Sequence, residues 1–138
     1  MSFDSSSNLN NYSATINCLT VDSNNKIYVG GGFSSYNGLS DQKHIIRLNT
    51  DGTRDSGFDN SNAFINDSVT YPTVNVITID NNGKIYVGGS FTSYKGTSAN
   101  RIIRLNTDGT IDGTFVYGTG FNNTVSTIVV DASNKIYV

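Results

Sequence analysis

Three observations predict an all-β chain built from tandem four-stranded antiparallel units. The first is composition. Glu is absent and Ala and Leu are scarce, whereas Ile, Val, Tyr and Phe number 13, 11, 8 and 7, so helix formers give way to residues that suit a pleated sheet. The second is repetition. Lys-Ile-Tyr-Val stands at 26–29, 84–87 and 135–138, and Ile-Ile-Arg-Leu-Asn-Thr-Asp-Gly-Thr at 45–53 and 102–110. The third is a period-two alternation of apolar and polar residues broken by Asp, Asn and Gly, which reads as strand, hairpin, strand.

The middle copy shows the unit. Residues 74–79 alternate as a half-buried strand, and Asp80-Asn81-Asn82-Gly83 makes a tight turn with Gly at a position that often needs positive φ. Residues 84–87 return as a second strand, and Gly88-Gly89 predicts a bulge or the close approach of another backbone. Residues 91–100 form a longer polar connection. A third strand, 101–105, runs through the turn Asn106-Thr107-Asp108-Gly109 into a fourth, expected at 110–117. Four strands in roughly 57 residues, repeated in tandem, predict the blade of a β-propeller. A β-sandwich gives no reason for near-identical strings at this spacing, and a β-helix needs a much shorter period.

Charge and cysteine usage set the outer bounds. With 9 Lys+Arg against 11 Asp+Glu, dispersed along the chain, no basic surface for nucleic acid is expected. The single cysteine, Cys18, cannot form an internal disulfide and is expected as a small buried thiol. The amino terminus has no basic start followed by an apolar stretch, and no apolar run approaches a membrane span, so neither a signal peptide nor a span is expected in the chain as given.

An apolar strand ending in Asp, then Gly-Lys-Ile-Tyr-Val-Gly-Gly-Ser-Phe, then Ser-Tyr-x-Gly, then Arg-Ile-Ile-Arg-Leu-Asn-Thr-Asp-Gly-Thr-x-Asp-x-x-Phe resembles the delta-60 type of β-propeller repeat, a relative of NHL and SBBP blades. The resemblance covers residues 16–58, 74–115 and 125–138. It implies a place in a large bacterial surface or secreted protein or in a phage virion protein, and it carries no single activity. The expected organisation is a lead-in at 1–15, blade 1 at 16–58, a connector at 59–73, blade 2 at 74–115 and the first half of blade 3 at 116–138. Some 2.4 units cannot close a ring of four to eight blades, so the chain is expected to be a fragment of a longer propeller, not closed within itself. Phe3-Asp4 aligned with Phe58-Asp59 sets the phase, and closure by copies would then lack a third strand and most of a fourth. Exposed strand edges would make the remaining blades, or other copies, its partners.

Candidate sites follow from the repeat. Tyr36 and Asn37, with Tyr94 and Lys95, lie in Ser/Gly-rich loops where an aromatic face and adaptable hydrogen bonds suit a glycan or a protein surface. Asp51 and Asp55, repeated as Asp108 and Asp112 around a Gly, make a weak calcium pattern, since the acid that closes an EF-hand is absent; turn-making by Asp51 and Asp108 explains them as well. No metal and no cofactor are expected. Asp22, Asp80 and Asp131, each four residues before a Lys, read as turn-makers in a solvated pair. His44, aligned with Arg101, is expected at the surface. No nucleophile motif or phosphate loop occurs, so a non-catalytic structural and interaction module is the expected function. The alternative is a propeller-based lyase or hydrolase whose active site lies outside this chain.

Overall fold

The computed structural model describes residues 3–4, 14–38, 43–59, 61, 64–65 and 71–138. Most of the expected lead-in and connector lie outside the described residues. Within them the chain is all-β without a helix, and its strands are β1 (Phe3–Asp4), β2 (Ile16–Val21), β3 (Ile27–Gly31), β4 (Ser35–Tyr36), β5 (Ile45–Leu48), β6 (Phe64–Ile65), β7 (Val74–Ile79), β8 (Ile85–Gly89), β9 (Ser93–Tyr94), β10 (Thr97–Ser98), β11 (Ile102–Leu105), β12 (Val129–Val130) and β13 (Ile136–Tyr137). Antiparallel pairing gives the sheets β2-β3-β5 and β7-β8-β11, with β12-β13 as a two-stranded third copy. These are the blades of a β-propeller, two of them followed by half of another.

The pleat explains why both faces of a blade are apolar. Along Ile27-Tyr28-Val29, Ile and Val pack with Ile46, Leu48, Phe33 and Tyr36 on one face, while Tyr28 turns to the other. There Tyr28, Ile45 and Phe58 of the first blade share one core with Val74, Ile77, Ile85, Val87, Ile103 and Leu105 of the second. Tyr86 and Ile102 point onward to meet Val125 and Ile128. Each sheet is thus a slab with cores on both sides, and successive slabs stack face to face.

The glycines after Lys-Ile-Tyr-Val make that stacking possible. A Cβ on Gly88 would lie 2.6 Å from Val125 and 3.0 Å from Ile128, and one on Gly30 would lie 2.5 Å from Cys18 Sγ and 2.6 Å from Val74. Gly89 meets the Thr73 carbonyl oxygen at 2.0 Å from its would-be Cβ, beside the register shift between Val74 and Val76. Both readings of the paired glycines, close approach and bulge, therefore hold. Cys18 is half-buried at this first junction, as the sequence expectation of a buried thiol approximated.

Three expectations are corrected. The fourth strand at 110–117 shrinks to a single bridge between Leu105 and Ile111, as it does between Leu48 and Arg54. The cause is Asp112, whose carboxylate accepts bonds from the Thr114 N–H and hydroxyl and whose carbonyl accepts the Phe115 N–H, so the chain turns away. The polar connection at 91–100 contains a hairpin, β9-β10, whose Lys95 and Gly96 both have positive φ, as a two-residue primed turn requires. Finally, the phase shifts. Phe3 pairs with Tyr36 as Phe64 pairs with Tyr94, so Phe3-Asp4 is the counterpart of Phe64-Ile65 rather than of Phe58-Asp59. The stretch called a connector thus contributes β6, which pairs with β9 in a separate three-stranded sheet, β10-β9-β6, where Phe64 packs on Phe91 and Tyr94 at ring separations of 4.5 and 4.8 Å.

Candidate functional site

The repeated polar residues converge at the turn end of each blade. Asp22 accepts the Asn24 and Lys26 N–H groups and so closes the first hairpin. Lys26 does not pair with Asp22. It reaches across the sheet to Asp55 at 3.0 Å and to Asn49 Oδ1 at 2.6 Å. Arg47 Nε meets the same Asp55 oxygen at 2.9 Å, and its Nη1 donates to the Tyr28 hydroxyl at 3.2 Å. The guanidinium lies over the Tyr28 and Phe58 rings at 5.7 and 5.2 Å, and those rings meet edge to face. Blade 2 repeats the arrangement with Asp80, Lys84, Tyr86, Arg104, Asn106, Asp112 and Phe115.

This network latches four chain segments together and answers its own charges. Burial works against the charge on Asp55, but the Gly57 N–H, Lys26 and Arg47 outweigh it and hold the carboxyl below its ordinary range. The Thr114 hydroxyl and N–H, with Lys84 and Arg104, hold Asp112 lower still. An acid this strongly held as carboxylate is a poor proton donor near neutrality. The acids of the calcium pattern are engaged within the chain. Asp55 and Asp112 are ion-paired to Lys and Arg, and the exposed Asp51 and Asp108 take the hydroxyl and N–H of Thr53 and Thr110 in local turns. Among the described residues, no three His, Cys, Asp or Glu side chains gather in a cluster.

The tyrosine loops divide. Tyr36 and Tyr94 are buried, and their hydroxyls donate to the Gly52 and Gly109 carbonyls at 2.6 and 2.7 Å, tying the loop to the far turn of the same blade. Neither ring offers a face for stacking. Burial, with Asp59 and Asp108 nearby, also pushes the Tyr94 hydroxyl far above its ordinary range. Asn37 and Lys95 stand exposed at the loop tips with φ of 47° each. Lys95 reaches back to the Asp59 carboxylate at 3.0 Å, which holds Asp59 down to about 2. His44 is a further correction. It is buried, not superficial, because it shares the left-handed backbone of Arg101 and the same ladder bonds, its N–H going to Phe33 where that of Arg101 goes to Phe91.

An open concavity lies elsewhere. A groove of about 480 Å³ runs between the β9-β10 hairpin and the segment leaving blade 2, lined by Ser98, Asn100, Phe115, Val116 and Tyr117. The Tyr117 hydroxyl donates to the Ser98 carbonyl at 2.6 Å and the Asn100 amide to the Thr119 carbonyl at 2.8 Å, which fixes the walls. Val116 projects into solvent. The sequence carried one signal for this site, the replacement of Asp59-Asn60 by Val116-Tyr117 after the repeated Phe. No helix among the described residues is long and apolar enough to cross a membrane.

A comparison with protein-family models matches the family described as "Domain of unknown function (DUF5122) beta-propeller" over residues 23–58 and 81–115, together just over half of the chain. Comparison with curated proteins and with solved structures gave no match.

Proposed function

Since the chain belongs to the DUF5122 beta-propeller family, we propose that it is a non-catalytic structural and interaction module of the delta-60 type, part of a propeller in a larger bacterial surface, secreted or virion protein. Its partners are the remaining blades of a longer chain or other copies of itself, met through open strand edges, together with a glycan or protein ligand. The observation that carries this reading is the closure of the polar network. The repeated acids at the turn ends are spent on turns or on Lys and Arg of their own blade, in both copies alike. A ligand seat is then sought where aromatic and amide groups meet solvent, and the groove at Asn100, Val116 and Tyr117 supplies both. A glycan array probed with the purified chain tests this. Reproducible hits that vanish in Val116→Asp, at unchanged melting temperature, support the seat. A blank array removes the glycan ligand, and hits indifferent to Val116→Asp move the seat elsewhere.

A further inference from the structure

We propose that the Asn37-Gly38 tip is a self-modification site, at which the Gly38 backbone nitrogen displaces the side-chain nitrogen of Asn37 and an acid is left in its place. Asn-Gly occurs twice in the chain, at 37–38 and at 82–83, and both asparagines are exposed. Glycine puts no side chain in the way of attack on the residue before it, and asparagine is among the thermolabile residues. Sequence alone ranks the two pairs together. The structure separates them.

Gly83 is held at its nitrogen. Its N–H donates to the Asp80 carbonyl at 3.0 Å, and the Asp80 carboxylate accepts the Asn82 and Lys84 N–H groups at 2.9 Å each. A Cβ at Gly83 would lie 3.2 Å from Thr107 Cγ2, so the turn is packed as well as bonded. Bringing the Gly83 nitrogen onto the Asn82 side chain therefore means opening this hairpin. Gly38 has neither restraint. Its N–H meets no acceptor among the described residues, and a Cβ there would meet nothing within 4 Å. Asn37 itself has left-handed backbone, φ 47°, which is less favourable than the right-handed conformations, so leaving it costs little.

This openness belongs to the tip and not to its place in the chain. Lys95-Gly96, the counterpart tip, has blade 1 beside it, since Lys95 meets Asp59 at 3.0 Å. It is nevertheless exposed, with φ of 47° and 78° and nothing within 4 Å of a Cβ at Gly96. The reaction needs only water. As the Gly38 nitrogen bonds to Asn37 Cγ, the Cγ–Nδ2 bond breaks, and Nδ2 leaves as ammonia with the Gly38 amide proton. Water then opens the resulting succinimide, at Cγ to give aspartate or at the main-chain carbonyl to give isoaspartate. Either product carries a negative charge where blade 2 carries Lys95, and isoaspartate also lengthens the main chain within the turn.

Neither the site nor its test depends on the ligand seat. The purified chain is held folded in mildly alkaline water enriched in oxygen-18 and digested with trypsin in ordinary water, so that succinimide opening during the incubation labels the product. Fragmentation in the mass spectrometer locates the label at Asn37 in peptide 27–43 and at Asn82 in peptide 55–84. Label is expected to enter at Asn37 about tenfold faster than at Asn82, a factor that one retained hydrogen bond sets. In urea the two rates are expected to converge. Asn37→Lys, the residue that blade 2 carries there, is expected to abolish label at 37 and leave the rate at Asn82 and the circular dichroism unchanged. Equal rates in the folded chain, a faster rate at Asn82, or an excess at Asn37 that persists in urea overturns the proposal.

Discussion

His44 shows what one buried ring does to a propeller blade. Burial lowers its pKa from 6.5 to about 4, with Lys43 adding to the effect, and its Nδ1 has no hydrogen-bond partner. Between those two values the unfolded chain holds a proton that the folded chain does not, so stability is lost as pH falls through this window, by up to about 3 kcal/mol. His44→Asn keeps a residue that tolerates the φ of 66° and removes the titration. Urea unfolding between pH 7 and pH 4.5 should therefore show a flattened slope in the variant, and an unchanged slope would refute the assignment. The paired carboxylates titrate below this window and do not confuse the reading. At this scale the sequence was least legible. Tyr36 and Tyr94 suit stacking on a ligand or packing in a core equally well, and what decides between them is a carbonyl on the far turn, at Gly52 or Gly109. The recurrence of Arg47 and Arg104 inside otherwise apolar strings was the visible sign of the latch, since a repeated buried cation implies a repeated partner.

Strands fared better. The inner strands and the Asp-to-Gly turn lie where alternation and turn chemistry put them, because register in a two-faced sheet is set by local pattern. The fourth strand was misread because Asp112-Gly113-Thr114 resembles an ordinary strand start until the aspartate caps its own turn. The paired glycines permit a graded test. Ala at 88 would press on the side chains of Val125 and Val76, at 2.6 and 2.8 Å, which can shift. Ala at 89 would press on a backbone carbonyl at 2.0 Å, which cannot shift without breaking the ladder. Gly89→Ala should therefore cost more than Gly88→Ala, with the latter in the range of about 1–3 kcal/mol typical of overpacking. Chemical denaturation of both variants checks the order, and equal costs would contradict the geometry.

Across the whole molecule, one core joins Tyr28, Ile45 and Phe58 to Ile85, Ile103 and Leu105, so the two blades bury the same surface. Polar contacts run the same way, Arg47 donating to the Thr107 carbonyl and the Asp59 N–H to the Asp108 carbonyl. The blades should unfold as one unit. Phe58→Ala, at a residue buried in blade 1, is expected to cost about 3–5 kcal/mol and to lower a single calorimetric transition. A split into two transitions would show that the blades are independent. The tandem architecture was plain from the repeated strings, but the phase was not, because Phe3-Asp4 and Phe58-Asp59 share a dipeptide and only strand pairing tells them apart. Cys18 gives this coupling a clock. Its thiol sits against Gly30 at the junction, and burial there pushes its pKa up to about 11, so in the closed state little of it is the reactive thiolate. An alkylating reagent added to the native protein would register chiefly the moments when the two blades part, and its rate would count how often they do.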